Sequence, residues 1–272
     1  MVRSLWTAAT GMIAQQTNVD TIANNLANVN TTGYKTKVNE FKSLLYQNLQ
    51  TRTTSWDGTP KPSSAQVGLG VRNASIDSIF TQGAPQATES DTAFAIDGDG
   101  FFAVRGADGG TKYTRNGNFV WAISNNRGIA LTNSDGLPVL DTAGRPIRLN
   151  NTYITSKITV TADGTICYPD ANNNPQSLGI RIGVYQFNNP SGMDKEGDSL
   201  YVVTDASGPA LNEATNPNVT PSKVLQGYLE ASNVQVVDEM VNLIVAQRAY
   251  EMNSKAITAS DEMLQQANSL RR

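Results

Sequence analysis

From Ser232 to Arg272 the chain carries neither proline nor glycine, and its apolar residues fall at Val234, Val237, Val241, Ile244 (or Val245), Met252, Ala256, Ala259, Met263, Ala267 and Leu270. Steps of three and four over such a distance describe one face of a long α-helix. Ser232 and Asn233 are candidate caps, and Gln235 stands three residues after Ser232, as a capping box requires. A helix of about 36 residues would be roughly 54 Å long, well above the usual globular length. Its own sequence neighbourhood supplies no globular body to lie on.

The opposite end repeats the design. Leu5, Ala8, Met12, Gln15, Val19, Ile22, Leu26 and Val29 are separated by 3, 4, 3, 4, 3, 4 and 3 residues. That is a heptad stripe with one polar interruption, the signature of a helix that pairs with another helix. Ser4 can cap its start, and Asn30-Thr31-Thr32-Gly33 ends it, with Gly33 suited to a left-handed C-cap. Residues 1–34 and 232–272 are therefore expected to form one discontinuous helical domain, paired as a coiled coil. For one amphipathic helix an ordinary buried core would be the simpler reading; two at opposite termini favour self-association. Asn24, Asn25 and Asn28 fall outside the stripe and offer donors and acceptors along an exposed flank, suited to a neighbouring subunit.

Between the ends the texture changes to β. Asp-Gly pairs recur at Asp57, Asp97, Asp99, Asp108, Asp135 and Asp163. They punctuate β-prone stretches such as Phe101–Arg105, Lys157–Thr161, Gly179–Phe187 and Leu200–Thr204, and Asp-Gly between such stretches is a hairpin signal. Residues 81–231 are expected as an antiparallel, β-rich outer domain. Residues 35–80 read as a partly extended connector, with Leu49 to Ser64 polar and carrying two prolines. The fold class is α+β.

Composition narrows the chemistry. The chain has 272 residues, no histidine and one cysteine, Cys167. Histidine-based catalytic triads, histidine-ligated metals, intrachain disulfides and thiolate zinc clusters are thus excluded, and no cofactor is expected. A net charge of -3 supplies no global field for nucleic acid or anionic membrane. No run of about 18 apolar residues predicts a transmembrane helix, and the N-terminus does not read as a cleavable signal. Hydrophobic residues make up 39%, a thin share for a self-sufficient core. Gly98-Asp99-Gly100-Phe101-Phe102-Ala103 matches a dinucleotide fingerprint in letters, but a strand-like stretch follows where a helix is required. A calcium loop there would need glycine where Phe102 stands and glutamate where Asp108 stands. Glu89 and Asp91 are the nearest candidates for an acid pair, and read as solvated turn carboxylates. Cys167 reads as a small buried hydrophobe.

Two long, ordered stretches then carry a resemblance. Ala23-Asn24-Asn25-Leu26-Ala27-Asn28-Val29-Asn30-Thr31-Thr32-Gly33-Tyr34-Lys35 resembles the N-terminal signature of bacterial flagellar rod and hook proteins. Gln247-Arg248-Ala249-Tyr250-Glu251-Met252-Asn253-Ser254-Lys255-Ala256 resembles that family's C-terminal hallmark. Arg3-Ser4-Leu5-Trp6, Leu44-Leu45-Tyr46-Gln47, Gln226–Val234 and Tyr113–Phe119 are similar to the rod members. The resemblance implies a non-enzymatic structural subunit that assembles head to tail into an open helical homo-oligomer, the distal rod, which transmits torque and encloses the export channel. The implied partners are proximal rod proteins, the hook protein, the surrounding rings and the flagellar type III export apparatus. It also implies a periplasmic basal-body location reached without signal cleavage, with no membrane insertion and no nucleic acid. A proximal rod or hook subunit is the alternative; a secreted carbohydrate-binding or hydrolytic β domain with coiled-coil ends is a more distant one. Within the assembly Leu5, Met12, Val19, Ile22, Leu26, Val29, Val234, Val237, Val241, Ile244, Met252, Met263 and Leu270 are expected to form the helical interface.

Overall fold

The computed structural model describes residues 2–50, 65–123, 128–170, 172, 174–197 and 199–270. The chain is α+β, with an N-terminal helix α1 (Val2–Ala27), a C-terminal helix α2 (Val236–Ser269) and short strands between them, antiparallel in every described pairing. Contacts divide it into two compact units: a helical unit of Met1–Ala27, Lys37–Ser78 and Gln235–Arg272, and a β body of Asn28–Thr36 and Ile79–Val234.

In the helical unit, the segment expected as a connector supplies four strands. Strand β1 (Lys37–Ser43) pairs with β4 (Val71–Ser78), and β2 (Tyr46–Gln50) with β3 (Ala65–Gly68), each as a two-stranded ribbon. Such ribbons are marginal in water unless something covers a face. Residues 51–64, including the Asp57-Gly58 pair and most of the expected polar connector, lie outside the described residues.

The β body has a conventional core. A six-stranded sheet runs in the order Asp194–Glu196, Leu200–Val202, Thr111–Thr114, Phe101–Arg105, Val184–Gln186, Leu211–Asn212. Phe94, Phe102, Phe119, Leu131, Val139, Ile147 and Ile182 form its main cluster; Phe101, Tyr113, Phe187 and Tyr201 form a second, aromatic one with edge-on ring contacts. Asp108-Gly109 and Asp163-Gly164 sit in hairpin turns between paired strands, both glycines at positive φ. The Phe101–Arg105 strand occupies the expected bounds, so a strand follows Gly98-Asp99-Gly100 where a dinucleotide site needs a helix. Cys167 is buried in a strand.

The expected start of α2 is corrected. The helix begins at Val236, after Gln235, which makes no side-chain capping bond. Ser232 Oγ accepts from the Val234 N–H at 3.3 Å instead. Asn233 is committed to the β body: its Oδ1 accepts from the Thr36 N–H and hydroxyl, each at 2.7 Å, and its Nδ2 donates to the Ile79 carbonyl at 2.9 Å.

The aromatic cluster sets an alkaline limit on stability. Burial pushes the Tyr113 hydroxyl up to about 12 and raises Tyr201 as well, from an ordinary 10.0. Both hydroxyls therefore hold protons in the fold that the unfolded chain releases. Their contribution is fully present below pH 10 and is lost as pH rises toward the folded values. The Lys35 ammonium, lowered mainly by desolvation, works in the opposite sense as pH approaches 10.5. Denaturant melts of wild type and Tyr113→Phe should thus run parallel below pH 10, with the wild type falling more steeply above it. Parallel curves throughout would contradict this.

Candidate assembly interface

Within the helical unit α1 and α2 run antiparallel. Ser4 Oγ lies 3.3 Å from Ser260 Oγ, and a Cβ built on Gly11 would meet Asn253 Nδ2 at 2.9 Å. Going from the first pair to the second, the α1 number rises by seven as the α2 number falls by seven. Continued along each helix, that step reaches Asn18 and Asn25 on α1, and Ala246 and Glu239 on α2. Of these, Asn25, Ala246, Glu239 and Ser260 are buried. The helices therefore meet along a heptad row of small and polar residues, where missing side-chain bulk lets backbones approach.

The apolar stripe expected between the two helices is placed differently on each. On α1 it is covered: Ile22 is buried, and Leu5, Met12, Val19 and Leu26 are half-buried. On α2 it points away from the seam. Val237, Val241, Ile244, Met252, Met263 and Leu270 are each between 51% and 88% exposed. For Val237, Val241, Ile244 and Met252 the offset from the seam is one or two positions, and each position rotates the face by about 100°. Val29 and Val234, at the inner ends of the stripes, belong to the β body, half-buried and buried respectively.

The imbalance extends over the unit. Every exposed large hydrophobic among the described residues lies in the helical unit, except Ile79, Val120, Ile123, Ile154 and Tyr228. By contrast, only Ala8, Ala14, Ile22 and Ala246 of that unit are buried apolar residues among those described. Trp6, Ile13, Leu45, Tyr46 and Leu49 join the outward surface from α1 and the ribbon. These exposed apolar residues make the helical unit the candidate for an interaction surface.

The two signature stretches split in role. Asn25, expected on an exposed flank, is 1% exposed, because its amide closes both ways on β1: Nδ2 donates to the Lys37 carbonyl at 2.8 Å and Oδ1 accepts from the Lys37 N–H at 2.9 Å. Asn28 Oδ1 accepts from the Thr31 hydroxyl at 3.1 Å. Ala23, Asn24 and Ala27 are exposed and Leu26 half-buried. On α2, Gln247, Arg248, Tyr250 and Lys255 are exposed and Ala249 and Asn253 half-buried. Gln247 and Tyr250, with Gln16, Val19 and Glu251, line a cavity of about 400 Å³. Arg248 Nη1 pairs with Glu251 Oε2 at 2.8 Å on the surface.

A buried ionic network went unread in the sequence, although Lys35 of the N-terminal signature, Arg115 of the Tyr113–Phe119 stretch and Glu230 of the Gln226–Val234 stretch build it. Glu230, 2% exposed, accepts from Lys35 Nζ at 2.6 Å and from the Gly83 N–H at 2.9 Å on Oε1, and from Arg115 Nη1 at 3.2 Å on Oε2. Gly33 fits beside it at φ +67, and a Cβ there would stand 2.7 Å from the Arg115 carbonyl carbon. Both the backbone angle and the close approach require glycine. The only hint in the sequence was the single charge carried by each of these three stretches. Glu89 and Asp91 are exposed near a turn, and no cluster of three or more His, Cys, Asp or Glu side chains among the described residues could hold a metal. No helix among them is long and apolar enough to cross a membrane.

Three family models match the chain in order: flagella basal body rod protein over residues 5–35, flagellar hook protein FlgE/F/G D1 domain over 95–168, and flagellar basal body rod FlgEFG protein C-terminal over 225–270. The flagellar basal-body rod protein FlgG of Borreliella burgdorferi is 44% identical over the whole of both chains. That of Caulobacter vibrioides is 42% identical, and that of Buchnera aphidicola from Acyrthosiphon pisum 41%, each over 99% of this chain and 100% of the relative.

Proposed function

The chain belongs to the flagellar basal-body rod protein family, and from that premise we propose that it is the structural subunit of the distal rod, polymerising through its terminal helices. The observation that carries this reading is the uncovered stripe on α2 in a unit with almost no apolar core of its own. One copy leaves Val237, Val241, Ile244, Met252 and Met263 in water; neighbouring copies, packing their helices on these faces as a coiled coil does, would remove them from it. A head-to-tail contact that does not close extends into a helical filament. The full-length relatives named as basal-body rod proteins support the rod over other sites.

In this role the helices enclose the export channel, and the subunit transmits torque through many packed contacts without catalysis. Its partners are further copies, the proximal rod proteins, the hook protein and the rings around the rod. It works in the periplasm, delivered by the flagellar export apparatus. The D1 match shares its name with hook proteins and supports an axial hook or proximal rod subunit as the second reading. Electron microscopy of basal bodies from cells lacking the chain separates the two. The expected image is a rod truncated before its distal part, with no hook; a complete rod without a hook, or no rod at all, would favour the second reading and overturn the first.

A further inference from the structure

Asn18 and Ile22 of α1, Val38, Asn39 and Phe41 of β1, and Glu239 of α2 are among the residues lining a groove of about 250 Å³ in the helical unit. Glu239 and Asn39 are 8% and 9% exposed, yet Glu239 Oε2 and both amide atoms of Asn39 have no hydrogen-bond partner among the described residues. A buried carboxylate oxygen and a buried amide left without partners oppose folding. The lone chain thus carries a polar cost in the unit that also exposes its apolar side chains.

We propose that this groove receives a cationic side chain from a second copy of the chain, which donates to Glu239 and Asn39 and fixes the register between neighbouring subunits. The inference rests on the assembly reading above and names the contact that makes it specific. Two observations choose the occupant. Val38 and Phe41 on the groove wall are themselves exposed hydrophobics, so the groove opens within the apolar surface assigned to subunit contact. Glu239 Oε2 and Asn39 Oδ1 call for donors and Asn39 Nδ2 for an acceptor; Lys37 lines the groove itself, and the same unit displays Arg3, Lys42, Arg72 and Lys255, exposed and with no ion pair among the described residues. Apolar stripes alone set register weakly, since a slipped neighbour covers almost as much area. One polar position that is satisfied in a single register removes that freedom.

The test compares Glu239→Gln, Asn39→Asp and wild type as full chains, each the sole copy in cells. Recovery of the chain in purified basal bodies is measured, and helical signal and melting are followed on the purified protein. Glu239→Gln should lower recovery by about tenfold or more while leaving the helical signal unchanged. Asn39→Asp, which adds an acceptor charge of the same shape, should keep or raise recovery. Pairing Glu239→Gln with Arg3→Gln, Lys42→Gln, Arg72→Gln or Lys255→Gln should reveal one cation whose loss adds nothing further. Unchanged recovery for Glu239→Gln, loss with Asn39→Asp, or full additivity with all four cations would overturn the proposal, as would a fall that merely follows lost helix. Wild-type chain absent from basal bodies would defeat the assembly reading itself. Wild type present, Val241→Asp absent and Glu239→Gln at wild-type levels would defeat the groove alone.

Discussion

Val241→Asp is expected to leave the isolated chain folded and to remove it from the rod. Val241 is 54% exposed on the outward face of α2, so the aspartate meets water in the monomer, and its effect should stay within about 0.5 kcal/mol. In an assembly that covers this face, every subunit would bury an unpaired carboxylate, at several kcal/mol per contact. At about 1.4 kcal/mol per tenfold, repetition along a polymer abolishes it. Ile22→Asp is the instructive contrast. Ile22 is 5% exposed inside the helical unit, so its replacement should unfold the helix pair before assembly is in question. Circular dichroism separates the two: full helical signal for Val241→Asp, reduced signal for Ile22→Asp, and rods in neither strain by electron microscopy. Intact rods in Val241→Asp cells would sink the interface assignment.

That contrast also marks what the sequence could and could not convey. Two long helices at the ends, and the strand Phe101–Arg105 with its Asp108-Gly109 turn, were legible because local spacing and turn chemistry act over a few residues. The partner of each stripe was not. Apolar periodicity reports that a face will be covered, without saying by what, and the seam of Ser4, Gly11, Asn253 and Ser260 has almost no hydropathy signal. The α2 cap was misplaced for a long-range reason, since Asn233 bonds to Thr36, Ile79 and Thr81 rather than to its own helix. The stretch Gly179–Phe187 reads as one strand but forms two, Pro175–Arg181 and Val184–Gln186. Between them Ile182 and Gly183 turn aside to pair with Asp141 and Leu140. Each miss is a contact far apart in sequence.

Glu230→Ala is expected to cost the β body about 3–5 kcal/mol, because it strands two buried cations. Lys35 and Arg115 are 1% and 2% exposed, and Glu230 is their shared acid partner. What would remain to them is neutral: the Thr81 carbonyl at 2.8 Å from Lys35 Nζ, the Gly98 carbonyl at 2.7 Å from Arg115 Nη2, and the Phe101 ring 5.1 Å from the guanidinium. The Gly83 N–H would lose its acceptor as well. At roughly 2–4 °C per kcal/mol for a unit of this size, the melting temperature should fall by about 6–20 °C. Desolvation already holds the Lys35 ammonium below its ordinary value, and the Glu230 charge is the largest effect opposing it. Without Glu230, Lys35 loses that support and its ammonium falls further. A second change, Lys35→Met, should then recover part of the stability, since a buried charge without a partner is worse than none. Double-mutant melts decide the matter: a Glu230→Ala loss below about 1 kcal/mol, or a Lys35→Met loss that simply adds to it, would show that the network does not hold Gly33–Thr36 and Glu230–Asn233 together.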